Sequence, residues 1–275
     1  MSEQLICVNG IELSVHIAGP EDGRPIWLLH GFPECWHSWR EQIPALAAAG
    51  YRVFAPEMRG YGQSGSPAEV ADYDLLTLCG DIQQAMDHFG HAQVVMVGHD
   101  WGAVVAWHLA LLEPERITRL ITLSVPFAGR ARRPVIEIMR ELYADRFNYI
   151  LYFQEPGVAE QELNADIERT LRLFMQDQDV FLQSKPADAR LLEGVPAPGT
   201  RRLAALVFPG GSGGLRAHLR RAWVSRPVEL VPQLRTQLAT HRKPGRQAGA
   251  ATHAVPDRRP RPGRGLRGPH AQAHA

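Results

Sequence analysis

The feature that most constrains this chain is a glycine-flanked aspartate between an apolar strand and a helix. It lies in residues 94–102, VVMVGHDWG, where Asp100 stands between Gly98 and Gly102. This spacing predicts a sharp strand-to-helix turn whose central residue is strained and projects above a sheet. The two glycines allow the tight turn and the close packing of the helix. An Asp that only caps the following helix is the alternative interpretation.

Aspartate at this position decides which chemistry the turn can perform. A serine needs a base to activate it, whereas a carboxylate with a pKa of about 4 is already an anion at neutral pH. A carboxylate attacks amides poorly, but it can open a strained ring or displace a halide, and either reaction leaves an ester. Asp100 is therefore the candidate nucleophile.

Alternating strand and helix patterns predict an α/β fold around this turn. Asn9-Gly10 between two apolar runs is a strong hairpin signal. Strands separated by helices imply a mostly parallel sheet with helices on both faces, and ligands then bind at the carboxyl ends of the strands. The predicted strands are 4–8, 11–16, 25–29, 51–55, 94–97 and 117–125, and the predicted helices are 39–49, 74–89 and 101–112.

The pattern changes after Pro126 and again near residue 209. Residues 130–192 have helical patterns broken at prolines and no clear strand, which suits an all-α cap inserted into the sheet domain. We therefore expect an α/β core over residues 1–126, a helical cap over 127–208 and an aberrant basic, disordered tail over 209–275. The last strands of the sheet are expected to be missing or disordered.

A second loop is expected beside Asp100. Residues 30–33, HGFP, follow a predicted strand, so the Phe32 N–H can point at charge that develops near the nucleophile. The Trp101 N–H, at the start of the next helix, supplies a second donor. The backbone position of His99 is expected to direct its side chain away from Asp100. We interpret the other residues of both turns as structural neighbours of the nucleophile: His30, Gly31, Pro33, Gly98, His99 and Gly102.

Composition limits the classes of function. The chain has 45% hydrophobic and 21% charged residues, as soluble globular proteins do. Its three cysteines are too few for a disulfide framework or a zinc site, so we expect a reducing compartment, the cytoplasm. Because no basic and apolar leader follows Met1, and no apolar run approaches about 18 residues, we expect no signal peptide and no membrane helix. Nothing indicates a metal or an organic cofactor.

Three segments carry a resemblance to a known family. HGFPECWHSWR (30–40), MRGYGQS (58–64) and GHDWGA (98–103) resemble the α/β-hydrolase superfamily, and specifically the epoxide hydrolases, over about residues 1–208. The resemblance implies an α/β-hydrolase fold, an epoxide substrate with water, and an ester on Asp100 that is hydrolysed to a diol. MRGYGQS is a structural turn near the site, and Glu57, just before it, replaces the family's usual Asp.

The cap carries two candidate tyrosines. Residues 147–160, FNYILYFQEPGVAE, are similar to the family's cap segment with a ring-opening tyrosine. By that match Tyr149 donates a hydrogen bond to the epoxide oxygen, which suits a phenol with a pKa of about 10. A packed cap aromatic is the alternative for Tyr149. Tyr152 is the next candidate, and for it a structural role in the core is favoured.

The last third of the chain departs from the family pattern. Hydrolysis of the ester needs a histidine and a second acid, in the order acid then His after the nucleophile, and neither is recognisable in this reading frame. Residues 215–275 carry 13 Lys and Arg against two acids, and no Ile, Met, Phe or Tyr occurs from Pro209 onward. Plausible codons for 227–238 and 253–263, read one nucleotide later, give segments similar to the family's second cap tyrosine and acid loop. We interpret this as a frameshift near residues 208–214.

Three alternatives stay open. A haloalkane dehalogenase also has Asp followed by Trp, but it needs halide-binding donors and the YFQEPG cap argues against it. A non-catalytic remnant is a hypothesis of a different class. Folded proteins are stable by only about 5–15 kcal/mol, and the loss of the final strands would remove much of that margin. A nucleic-acid-binding arm is the third reading of the basic tail. We expect instead an artefact or a disabling mutation, with no nucleic-acid or membrane partner, and the sequence carries no signal for an oligomeric state.

Overall fold

Six strands form one sheet in the computed structural model, which describes residues 1–129, 131–176 and 184–195. All of these residues belong to Met1–His241, the first of two units, the second being Arg242–Ala275. The strands are β1 (Ser2–Val8), β2 (Ile11–Ala18), β3 (Arg24–Leu29), β4 (Tyr51–Pro56), β5 (Val94–His99) and β6 (Ile117–Leu123). Their order across the sheet of the described residues is β1-β2-β4-β3-β5-β6.

The sheet is antiparallel at one end and parallel through the rest. β1 pairs with β2 and β2 with β4 in antiparallel fashion, whereas the pairs from β4 through β3 and β5 to β6 are parallel. Asn9 and Gly10 have φ values of 45° and 80°, as a two-residue hairpin turn requires. β6 ends before its predicted limit because Ser124 turns the chain at φ 68°. The predicted mostly parallel sheet is confirmed.

Helices cover both faces of this sheet. Trp27 and Leu29 of β3 pack in one core cluster, and Ile26 and Leu28 pack in another, because successive side chains of a strand point to opposite faces. Two helices contribute to the first cluster and one to the second: α2 (Leu75–His88) and α3 (Trp101–Leu112), then α1 (Gln42–Ala48). α1 begins later than predicted, after a short 3-10 helix at Trp36–Trp39.

The described residues after β6 form the helical cap. Its helices are α4 (Val135–Leu142), α5 (Tyr149–Tyr152), α6 (Val158–Ala165) and α7 (Ile167–Gln176). The Glu162 carboxylate joins three parts of the cap, because it accepts the backbone N–H groups of Leu191 and Leu192, each at 3.1 Å, and the Tyr152 hydroxyl at 2.8 Å. The predicted cap limit at residue 208, the tail over 209–275 and the fate of the last strands lie outside the described residues.

A buried ion pair ties the hairpin, the loop after β4 and α2 together. The Arg59 guanidinium donates to both Asp81 oxygens at 2.8 and 2.6 Å and to the Asn9 carbonyl at 3.0 Å. The Asn9 side-chain amide also donates to Asp81 at 2.8 Å. Both charged side chains are at most 4% exposed. The loop that carries MRGYGQS is therefore anchored to the core by charge as well as by packing.

We expect Asp81→Asn to lower the free energy of unfolding by about 3–5 kcal/mol, because it leaves the Arg59 charge buried without a counter-ion. Asp87→Asn, on the same helix, is the matched control. Its carboxylate also pairs with an arginine, Arg116 at 2.8 Å, but the Asp87 side chain is 65% exposed. Such a surface pair contributes less than about 1 kcal/mol. Equal losses for the two variants in urea unfolding would contradict a special role for the buried pair.

Candidate active site

Asp100 lies at the corner between β5 and α3, with φ 51° and ψ −119°. L-residues rarely adopt a positive φ, and such strain persists only where the surroundings enforce it. A β-carbon on Gly98 would lie 2.6 Å from the carbonyl carbon of Gly102, and one on Gly102 would lie 2.5 Å from the carbonyl carbon of Leu29. The packing of α3 against β5 and β3 therefore requires both glycines, and it forces Asp100 into the strained corner.

The Asp100 carboxylate is held by backbone amides. Its Oδ1 accepts the Phe32 N–H at 2.9 Å, and the Trp101 N–H also donates to this carboxylate. Burial raises the pKa of Asp100, while the two amides and the nearby His99 act in the opposite direction. A β-carbon on Gly31 would lie 2.5 Å from Oδ1, so the loop can approach the carboxylate only with glycine there. The two predicted amide donors thus converge on the predicted nucleophile.

The His30 ring, 1% exposed, shapes the loop that presents the Phe32 amide. Its Nε2 accepts the Met58 N–H at 3.0 Å, and its Nδ1–H donates to the Gly31 carbonyl at 2.9 Å. These partners assign a neutral ring with the proton on Nδ1. The next peptide, Phe32–Pro33, is cis. His30 therefore links the loop after β3 to the loop after β4, as a structural residue.

Glu34 is a site residue that sequence reasoning missed. Its Oε2 lies 2.8 Å from His99 Nδ1, and the His99 Nε2 lies 3.1 Å from the Ser124 hydroxyl. The bond to Glu34 raises the pKa of His99 against the effect of burial. Burial also opposes ionisation of Glu34, but the hydrogen bond and charge of His99, together with the Gly31 N–H, lower the Glu34 pKa. Both ring nitrogens of His99 therefore have partners other than Asp100. The sequence signal that could have pointed to Glu34 is the position of an acid directly after HGFP.

The loop after β4 carries two more buried polar groups, Glu57 and Tyr61. The buried Glu57 carboxylate accepts the Gln63 N–H at 2.7 Å, and burial raises the pKa of Glu57 to about 7. A β-carbon on Gly62 would overlap this carboxylate, so the glycine leaves room for a glutamate at position 57. The Tyr61 ring packs edge-on against His30 at 4.8 Å. Burial and the charge of Asp100 raise the pKa of Tyr61, which stays a phenol.

The two cap tyrosines have different surroundings. Tyr149 begins α5, whose first turn is capped by the Asn148 side chain at 3.0 and 3.3 Å. Burial, followed by the charge of Asp100, raises the pKa of Tyr149. The Tyr152 hydroxyl instead donates to Glu162 at 2.8 Å. The charge of Asp100 therefore acts on Tyr149, whereas the Tyr152 hydroxyl joins α5 to Glu162 of α6.

The described residues do not bring a base to the nucleophile. Within residues 1–129, 131–176 and 184–195, the histidine that acts on the Asp100 charge is His99, and Glu34 and Ser124 hold its ring. The region predicted to lack a recognisable His and acid, 209–275, lies outside these ranges. In the same described ranges no three His, Cys, Asp or Glu side chains could hold a metal ion. Nor does any helix there have the length and apolarity to cross a membrane.

Comparison with known sequences identifies the family. The alpha/beta hydrolase fold family matches residues 24–189. Epoxide hydrolase A of Mycobacterium tuberculosis is 41% identical over 230 residues, which are 82% of this chain and 66% of that protein. Bifunctional epoxide hydrolase 2 of Sus scrofa is 45% identical over 166 residues, 60% of this chain and 30% of that protein. The chain thus spans less than two thirds of the length of these curated relatives.

Solved structures agree with this assignment. The crystal structure of epoxide hydrolase A from Mycobacterium thermoresistibile superposes with a TM-score of 0.77 at 36% identity, covering 86% of this chain and 76% of that chain. Epoxide hydrolase VrEH1 from Vigna radiata gives a TM-score of 0.71 at 32% identity, covering 86% and 73%. With the strained aspartate, the two amide donors and the sheet topology already described, the chain belongs to the epoxide hydrolase family of the α/β-hydrolase fold.

Proposed function

We propose that this chain performs the first half of epoxide hydrolysis, the opening of an oxirane by Asp100. One observation carries the proposal: a strained carboxylate whose Oδ1 is held by the Phe32 amide, with the Tyr149 ring joined to the Phe32 ring through Phe153. The proteins that this chain resembles are epoxide hydrolases. A carboxylate is ionised without a base, so the attack needs no histidine.

The proposed step balances as an in-line displacement. Because the Phe32 N–H holds Oδ1, the lone pair of Oδ2 forms the bond to an oxirane carbon. The carbon–oxygen bond of the ring breaks, and its electron pair goes to the ring oxygen. The Tyr149 hydroxyl gives its proton to this oxygen, since a nascent alkoxide is a far stronger base than a phenolate. The products are a hydroxyalkyl ester of Asp100, with its carbonyl oxygen facing the Phe32 and Trp101 amides, and a Tyr149 phenolate that carries the negative charge lost from Asp100.

The second half, attack of water on the ester, requires a base that we assign to the intact family pattern and not to this chain. The predicted frameshift near residues 208–214 replaces the acid loop, expected over residues 253–263, and with it the reading frame that leads to the histidine. We therefore propose impaired turnover, a helical cap over 127–208 and a tail without a catalytic role. We also propose water and an epoxide as the partners and the cytoplasm as the location, in keeping with three free cysteines.

Mixing the purified chain with styrene oxide should add one equivalent of the epoxide to Asp100 and release little diol. Intact-protein and peptide mass spectrometry measures the adduct, and chromatography measures the diol. Asp100→Asn should form no adduct, because a neutral amide is a poor nucleophile. Halide release from a brominated alkane without any epoxide adduct would instead favour a dehalogenase. Sustained diol production by the unsubstituted chain would refute the proposed loss of turnover.

Tyr149→Phe and Tyr152→Phe form a matched pair that tests the proton donor. We expect Tyr149→Phe to slow adduct formation by about 10²-fold, as loss of a general acid does. Tyr152→Phe should leave that rate within about twofold, because its hydroxyl donates to Glu162. It should lower stability by about 1–3 kcal/mol instead, since Glu162 loses a partner. Rapid-quench mass spectrometry and thermal unfolding separate these outcomes, and similar slowing by both variants would remove Tyr149 from its role.

The rate of adduct formation should fall with decreasing pH. Because burial raises the pKa of Asp100 above its ordinary value of 3.8, protonation removes the nucleophile at a higher pH than for an exposed aspartate. Rates measured between about pH 3 and pH 7 should therefore have a midpoint above the ordinary aspartate value. Circular dichroism over the same range checks that the fold persists. A midpoint below 3.8 would show that the amides outweigh burial at this carboxylate.

A further inference from the structure

Phe32 takes part in two contacts of different kinds. Its backbone N–H donates to Asp100 Oδ1 at 2.9 Å, on the core side of the site. Its ring meets two cap rings in T-shaped contacts, Phe153 at 5.9 Å and Phe174 at 6.0 Å. The residue that presents the amide to the nucleophile is thus also a residue on which the cap rests.

The two cap rings are fixed by the interior of the cap. Phe153 follows α5 and is 2% exposed, and Phe174 lies on α7 and is 5% exposed. Both belong to the apolar cluster of the cap, which includes Leu163 and Leu171. Since close-packed interiors allow little displacement of such rings, the place of the Phe32 ring depends on the packing of the cap.

The same contacts reach the candidate proton donor. The Tyr149 ring meets Phe153 edge-on at 6.0 Å, and Phe153 meets Phe32. A continuous row of rings therefore runs from Tyr149 to the residue whose amide holds Asp100. These are the two groups that must face each other across an epoxide for the proposed step to occur.

We propose that Phe174 is a positioning residue for the reaction, which acts by holding the Phe32 ring and with it the amide at Asp100. This inference rests on the proposed function of Asp100. The physical basis is that a hydrogen-bond donor stabilises charge only while its position is kept, and a displacement of about 1 Å can lower a rate by about 10²-fold. Phe174 acts through Phe32 and donates nothing to the substrate itself.

Phe174→Leu tests the proposal, with Phe147→Leu as the matched control. Phe147 is also a buried cap phenylalanine, 8% exposed, but the ring that it meets at 5.6 Å is that of Tyr152. Styrene oxide is varied, and the limiting rate of adduct formation is separated from the half-saturating concentration. We expect Phe174→Leu to lower the limiting rate about tenfold and Phe147→Leu to change it less than about twofold. A rise in the half-saturating concentration alone would assign Phe174 to substrate contact and overturn the proposal.

The second readout is the backbone amide proton of Phe32 in the NMR spectrum of the full chain. A weaker hydrogen bond to Asp100 should move this resonance upfield in Phe174→Leu and leave it in place in Phe147→Leu. If Phe174→Leu fails to fold, Phe174→Met keeps the volume filled with a flexible side chain and takes its place. An unmoved Phe32 resonance in a folded variant refutes the coupling. Absence of any adduct on the unsubstituted chain would refute the proposed function instead, while the amide resonance would still decide the coupling.

Discussion

The close approach of three backbone segments at glycines is the constraint on which the site depends. Gly98 and Gly102 let α3 pack against the ends of β5 and β3, and Gly31 lets the neighbouring loop reach the Asp100 carboxylate. A methyl group at any of these positions would overlap backbone or the carboxylate itself. The strain at Asp100 is therefore maintained by the packing of the whole sheet edge, and the amide at 2.9 Å follows from the same approach. The packing that forms this part of the core is therefore the same packing that preorganises the candidate nucleophile.

The Glu34–His99 ion pair lies close to the candidate nucleophile, Asp100. Asp100 and Glu34 are both carboxylates in a partly buried site, and the His99 ring interacts with the charge of each. The raised pKa of His99 contributes stability below its ordinary value of 6.5, which is lost as pH rises through the shifted value. The lowered pKa of Glu34 contributes stability above its ordinary value of 4.5, which is lost as pH falls through the shifted value. The pair is thus charged across mildly acidic pH, where Asp100 must also be ionised.

Local patterns predicted the elements, whereas contacts between distant segments escaped prediction. The two glycines around Asp100 and the Asn9-Gly10 pair each allow a particular backbone conformation, so their positions in the sequence were sufficient to predict both turns. The Glu34–His99 pair joins residues 65 positions apart, and nothing in their spacing reveals that they meet. The same is true of Arg59 with Asp81 and of Phe32 with Phe174, because side-chain partners across a fold depend on packing that periodicity does not encode. The sequence also gives no physical reason for different roles of Tyr149 and Tyr152. The hydrogen bond from the Tyr152 hydroxyl to Glu162 supplies that reason.

The described part of the chain separates the two halves of an ester mechanism. Opening a strained ring requires an anion, amides for its second oxygen and a donor for the leaving oxygen, and Asp100, Phe32, Trp101 and Tyr149 come from residues 32–149. Hydrolysis of the ester requires water made nucleophilic, for which a carboxylate already consumed in the ester is no substitute. A nucleophile that is ionised by itself can react without a base, and in a chain that lacks the base the proposed mechanism ends at the ester. Aspartate in place of serine therefore separates the two requirements, because the proposed ring opening needs no base whereas hydrolysis of the ester does.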